Sequence, residues 1–155
     1  MTPLKSGSPK RILPPVYLLA AVFVMIGLHY FGPVMQLVSS PYRYLGILLL
    51  VGGFATVVRV ADDLRRAGTT IKPFEPSSVL LTEGLYRVTR NPIYVSMSVG
   101  LLGLAVLLGS LSPFLVVPIF VYLIGRRFVR AEEAVLEQVF GAQYSAYKAR
   151  VRRWI

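Results

Sequence analysis

Residues 91–125 read NPIYVSMSVGLLGLAVLLGSLSPFLVVPIFVYLIG, without one charged side chain. A helix needs about 20 residues to cross the hydrocarbon core of a bilayer, so this run is too long for a single crossing. Ser110-Leu111-Ser112-Pro113 breaks it near the middle, as a tight turn does. The stretch therefore predicts a hairpin of two spans, at about 92–111 and 113–125, the second short and continuing into the basic segment after it. Outward from there, no charge lies between Ile12 and Tyr42, which predicts a span at about 16–38 with Gly32-Pro33 as a kink or early end. A further span at about 41–60 has Arg43 and Arg59 at its ends, where long side chains snorkel to the interface. Lys5, Lys10 and Arg11 imitate the start of a signal peptide, but the apolar run outlasts a typical h-region and no A-x-A site follows, so it reads as a retained span. The expected fold is an all-α integral membrane protein with about four transmembrane helices and a cytoplasmic C-terminal helical segment.

Composition agrees. The 155 residues leave room for one domain. Hydrophobic residues make up 55% and charged ones 15%, against roughly 45–50% and 25% in soluble domains. Mean hydropathy is +0.63, yet 17 Lys and Arg oppose 7 Asp and Glu, a formal +10. Four spans put both termini, the loop at 61–91 and residues 126–155 on one side. That side then holds every Lys and Arg except Arg43, and all 7 acids. Positive charge is retained in the cytoplasm during insertion, so both termini are expected there. The charge is assigned to a membrane surface, with no nucleic acid as partner. The absence of cysteine excludes disulfides, thiolate metal sites and cysteine nucleophiles. The single histidine, His29, excludes a His-rich metal centre, and no metal site is expected. No acid lies within a span, so the usual mark of an ion-coupled transporter or a small four-helix multidrug exporter is missing.

The distinctive polar residues fall in two cytoplasmic segments. The first runs from Thr69-Thr70-Ile71-Lys72-Pro73 to Arg90-Asn91-Pro92-Ile93-Tyr94. Asn91 suits an N-cap and Pro92 the first helical position. A helix N-terminus attracts an anion, and Arg90 adds a fixed charge, so a carboxylate or phosphate is the natural ligand. The plainer reading is a capped helix whose arginines touch lipid headgroups. The second segment predicts a helix ending at Gly141 as its C-cap, with Arg130 and Glu133 neighbours at i,i+3 and Arg126 and Arg130 at i,i+4. In the helix after it, Tyr144, Tyr147, Val151 and Trp154 share a face opposite Lys148 and Arg152, as in a basic amphipathic helix on a membrane surface. Taken alone, Glu132 and Glu133 read as solvated ion-pair partners and the aromatic stripe as an interfacial anchor. His29, mid-span on the first helix, reads as a packed or hydrogen-bonded residue.

Together the segments are more specific. Gly84-Leu85-Tyr86-Arg87 followed by Arg90-Asn91-Pro92-Ile93-Tyr94 resembles the G-x-Y-R…R-[HN]-P-x-Y motif of the isoprenylcysteine carboxyl methyltransferase and phospholipid methyltransferase superfamily. After the apolar hairpin, Arg130-Ala131-Glu132-Glu133…Leu136…Phe140-Gly141…Tyr144…Tyr147 is similar to that family's R-x-E-E-x-x-L…F-G-x-x-Y-x-x-Y signature. Order and spacing match across about residues 69–155; the first two spans match only in character.

The resemblance implies an integral-membrane methyltransferase using S-adenosyl-L-methionine, held between the cytoplasmic ends of the last spans and the C-terminal segment. By matching position, Tyr86, Arg90, Asn91, Pro92 and Tyr94 would bind the cofactor, with Arg90 and the helix N-terminus suiting its carboxylate. Glu132 and Glu133 would take its ammonium or ribose hydroxyls, and Tyr144 and Tyr147 would close over the nucleoside. Arg90 and Arg130 would orient the substrate as the catalytic arginines. Asn91 stands where the carboxyl methyltransferases usually have His, which removes proton transfer at that position, and Ser96 stands where Gly is common. The length fits the short prokaryotic type in the inner (plasma) membrane. The implied partners are membrane lipids and a lipophilic or lipid-like acceptor. A carboxylate acceptor needs only desolvation and alignment, for which Arg130 would serve. An amine must lose a proton, for which Glu132 or Glu133 is the nearest base. Two other readings use the same residues: a sterol-reductase-like nicotinamide enzyme, and a non-catalytic basic scaffold binding anionic lipid.

Overall fold

The computed structural model describes residues 13–68 and 79–155. The basic stretch at Lys5, Lys10 and Arg11 and the start of the first polar segment, Thr69 to Pro73, lie outside these residues. Among the described residues six α-helices follow in order: α1 (Pro14–Phe31), α2 (Leu45–Arg66), α3 (Pro92–Leu108), α4 (Leu111–Ile124), α5 (Arg130–Phe140) and α6 (Ala142–Arg150). Three continuous helical stretches, Pro14–Phe31, Tyr42–Arg66 and Leu111–Phe140, are long and apolar enough to cross a membrane, and α3 is a shorter apolar helix. The all-α membrane class is as expected. Phe23, Phe54 and Ile119 are 66%, 72% and 56% exposed; a soluble protein rarely tolerates such a surface, whereas acyl chains solvate it.

α3 is the central helix. It packs on α2 along one side and on α4 and α1 along the other. Small residues let α2 and α3 approach backbone to backbone, the usual device where lipid removes any hydrophobic drive between helices. A Cβ on Gly53 would lie 2.7 Å from the Ser96 carbonyl oxygen, and one on Gly103 would lie 2.7 Å from the Gly46 carbonyl oxygen. The Ser96 hydroxyl folds back onto its own helix, donating to the Pro92 carbonyl at 2.7 Å. The main core lies between α1, α3 and α4 and includes Met25, Leu101, Ala105, Phe120 and Ile124.

The far end of the bundle departs from the sequence reading. α1 stops at Phe31, so Gly32-Pro33 is an early end and residues 32–38 are not helical. They pack instead on the α3–α4 turn: Leu37 and Val38 donate to the Gly109 carbonyl, and Leu111 donates to that of Met35. The turn itself is at Gly109, with φ of 82°, and α4 already begins at Leu111, so Pro113 sits within its first turn rather than opening it. His29 lies near the end of α1 rather than mid-span, and its Nδ1 is 2.8 Å from the Ser110 hydroxyl. α2 begins at Leu45 rather than at 41. It also runs past the expected end at 60 as far as Arg66, because Arg59–Asp63 and Arg66–Asp62 pair at i,i+4.

At the other end α4 does not stop. A π-helical segment, Gly125–Val129, joins it to α5 without a break. It turns both Phe128 and Val129 into the core, at 2% and 0% exposure, and leaves Arg126 and Arg127 outside. Gly141, with φ of 48°, ends α5 as expected, its N–H donating to the Glu137 carbonyl at 3.0 Å.

Candidate active site

The charged end of the bundle is assembled around the start of α3. Asn91 occupies the N-cap position before Pro92, but its side chain makes no capping bond. Its Nδ2 donates to the Arg153 carbonyl at 2.9 Å, and its backbone N–H to the Thr89 hydroxyl at 3.2 Å. That hydroxyl donates to the same Arg153 carbonyl at 3.1 Å, and the Arg90 N–H reaches the Arg152 carbonyl at 3.0 Å. Arg152 and Arg153, just after α6, are thereby strapped across the N-terminus of α3. This corrects the expected cap: the Arg153 carbonyl holds the Asn91 side chain through Nδ2, and the side-chain oxygen takes no bond from the helix's own amides.

Inside the strap lies a shared carboxylate. Arg90 Nη1 is 3.1 Å from Glu133 Oε1, both side chains being 11% exposed. Arg153 grips the same carboxylate with two bonds, Nε to Oε1 at 3.0 Å and Nη2 to Oε2 at 2.6 Å. Arg90 Nη1 also reaches the Tyr144 hydroxyl at 3.5 Å. Arg90 Nε is buried with no acceptor among the described residues. The neighbouring Glu132 accepts a 2.5 Å bond at Oε1 from the Tyr94 hydroxyl.

Glu132 lies beyond the apolar part of the long helix, and burial raises its pKa. The Tyr94 hydrogen bond opposes the shift and the Glu133 charge adds to it. With the folded pKa above the unfolded one, the native state holds more protons than the unfolded chain as pH rises through that window. The contribution is full below the ordinary carboxylate range and is lost as pH climbs through the raised value. Thermal unfolding of Glu132→Gln across pH should therefore show a flatter decline from acid to neutral pH than the parent; an unchanged slope would refute the assignment.

The structure brings Arg90, Tyr94, Glu132, Glu133 and Tyr144 together. Tyr144 and Tyr147 are buried at 1% and 3%, packed with Val151 against Leu80, Tyr86, Leu136 and Phe140. The Tyr147 hydroxyl donates to the Tyr86 carbonyl at 2.7 Å, and burial beside Tyr144 pushes its pKa up to about 12, so it stays a donor at neutral pH. The expected surface-lying helix is thus corrected, since its aromatic face packs into the protein. Trp154 leaves that stripe because α6 ends at Arg150, and it packs on the main core. Arg130 is not Glu133's partner either: the carboxylate points to Arg90 and Arg153, while Arg130 is exposed and has no ion pair among the described residues. Arg153 and Thr89 were missed, having no periodic or motif signal.

A family model described as phospholipid methyltransferase matches residues 41–143, which include both glutamates and the Arg90–Tyr94 turn. The chain belongs to the phospholipid methyltransferase family. This member is 32% identical over 73 residues to the protein-S-isoprenylcysteine O-methyltransferase of Schizosaccharomyces pombe, a stretch covering 47% of this chain and 31% of that protein. It is 38% identical over 63 residues to an uncharacterized protein of Haemophilus influenzae, covering 41% of this chain and 100% of that one. No solved structure gives a significant match. The superfamily resemblance of the two motifs is borne out. Tyr144, Tyr147 and Arg153 lie beyond the residues that the family model matches.

Proposed function

We propose that this phospholipid methyltransferase family member transfers a methyl group from S-adenosyl-L-methionine to a lipophilic or membrane-associated carboxylate or amine at the cytoplasmic membrane face. The observation that carries this reading is the closure of the two motif segments on each other. Tyr94 and Glu132, 38 residues apart, share a hydrogen bond beside the Arg90–Glu133 pair.

The residues fit the cofactor unequally. Arg90 Nε is a buried donor lacking an acceptor among the described residues, which suits a carboxylate. Glu132 is engaged at Oε1 by Tyr94, and its other oxygen suits an ammonium or ribose hydroxyl. Glu133 is committed to Arg90 and Arg153, so it positions Arg90 rather than accepting from the cofactor. Asn91, Pro92, Tyr86, Tyr144 and Tyr147 form the frame around these groups. When bound, S-adenosyl-L-methionine supplies an electrophilic methyl group on a sulfonium, for in-line displacement. The chain's task is then to position reactants and exclude water. Arg90 and Arg130 orient an anionic acceptor. For an amine acceptor, Glu132, whose pKa burial raises, is the nearest base. The concentration of Arg and Lys at this end supports a cytoplasmic position for it under the positive-inside rule, and the membrane is read as a prokaryotic inner one.

Calorimetric titration of the detergent-purified protein with S-adenosylhomocysteine tests the reading. Saturable binding is expected, lost in Arg90→Ala and in Glu132→Ala while both retain parental helicity. A well-folded parent that fails to bind, in detergent and again in nanodiscs, would sink it.

A further inference from the structure

Beside that site, the outer face of α4 and the C-terminal tail border an open groove of about 550 Å³. Its wall within the bilayer is apolar, formed by Val117, Pro118 and Val121, and its rim carries Arg126, Arg130 and Arg153, with Trp154 at the side. Leu115 and Ile119 on the same helix are each 56% exposed, so the groove opens where acyl chains lie.

The rim has more positive charge than its neighbours neutralise. Arg126 and Arg130 have no carboxylate partner among the described residues. Arg126 instead donates to the Tyr122 hydroxyl at 2.9 Å and lies 5.7 Å from that ring's centroid. Arg153 shares Glu133 with Arg90, and Glu132 is turned to Tyr94. An occupant of this space needs an anion at one end and a hydrocarbon chain at the other. A soluble anion would leave the apolar wall unused. A zwitterionic headgroup brings its own ammonium against the arginines.

We propose that the groove is a binding site for an anionic phospholipid of the surrounding membrane, with its phosphate on Arg126 and Arg130 and an acyl chain along Val117, Pro118 and Val121. The groove shares Arg130 with the proposed acceptor site, but its test uses neither cofactor nor acceptor, so it can fail while the methyl-transfer reading stands. Trp154 is the only tryptophan of the chain and lines the groove, so its fluorescence reports occupancy. The full chain is placed in phosphatidylcholine nanodiscs containing either phosphatidylglycerol or phosphatidylcholine brominated near the headgroup end of the acyl chain, at equal mole fraction.

Brominated phosphatidylglycerol should quench Trp154 at lower mole fraction than brominated phosphatidylcholine. The preference should fall roughly fivefold in Arg126→Gln and by a similar factor again in Arg126→Gln/Arg130→Gln, the loss expected per arginine near an anionic surface. Arg127→Gln, a change at an exposed arginine that does not line the groove, should leave it unchanged. Arg126 and Arg130 are exposed, so helicity should survive; if the double variant loses it, the single Arg126→Gln variant decides. Equal quenching by the two lipids, or a preference that survives loss of Arg126, overturns the proposal. Displacement of phosphatidylglycerol by inorganic phosphate at matched ionic strength would assign the arginines to a soluble anion instead.

Discussion

Replacing Glu133 with alanine is expected to cost about 3 kcal/mol of stability, the lower end of the range for breaking a buried ion pair, and to abolish S-adenosylhomocysteine binding. Arg153 is 42% exposed and can turn to water, but Arg90 is 11% exposed and cannot. The variant leaves that guanidinium buried without a counter-charge and frees it from the geometry that Glu133 imposes. Thermal unfolding in detergent, with calorimetry on the same preparation, checks both parts. Replacing both partners, Arg90→Leu with Glu133→Leu, should recover most of the stability without recovering binding, since a buried pair exchanged for apolar residues is often neutral. A Glu133→Ala protein that melts with the parent would mean that the carboxylate does not organise this end of the bundle.

The second large effect is expected at the α2–α3 contact. In Gly103→Val, the new Cβ would stand 2.7 Å from the Gly46 carbonyl oxygen and 2.7 Å from the Leu50 nitrogen. Both are backbone atoms of a helix and cannot turn aside as a side chain can. Overpacking of this kind costs about 3 kcal/mol, and here it also pushes α2 away from the helix whose first turn carries Arg90 and Tyr94. Gly52→Ala is the matching control: nothing lies within 4 Å of its Cβ position. It should leave the melting temperature unchanged or raise it slightly, because alanine suits an exposed helix position better than glycine. Equal melting of the two variants would refute the close approach.

Helices along uncharged runs, the start of α3 at Asn91-Pro92 and the stop at Gly141 were legible because each rests on local chemistry: apolar length, a missing N–H and a positive φ. The convergence of Arg90 and Tyr94 on the two glutamates was legible only through the resemblance of the paired motifs. The strap was not. Asn91 finds the Arg153 carbonyl 62 residues away, and a backbone acceptor has no residue identity to read. Nor did the expected face of Tyr144, Tyr147, Val151 and Trp154 foresee that the helix ends at Arg150, which sends the last residue to another cluster. The small residues of the α2–α3 contact carried a signal that went unused: Gly46 and Gly53 are seven apart and fall on one helical face.

The unbroken helix from Leu111 to Phe140 is, finally, a ruler. At 1.5 Å per residue, Glu133 stands about 33 Å along it from Leu111, just past the ~30 Å of hydrocarbon in a typical bilayer. Its length alone therefore sets both glutamates at the height where oil gives way to water. A solute from the aqueous phase and an amphiphile from the membrane can meet there without either having to leave its own phase.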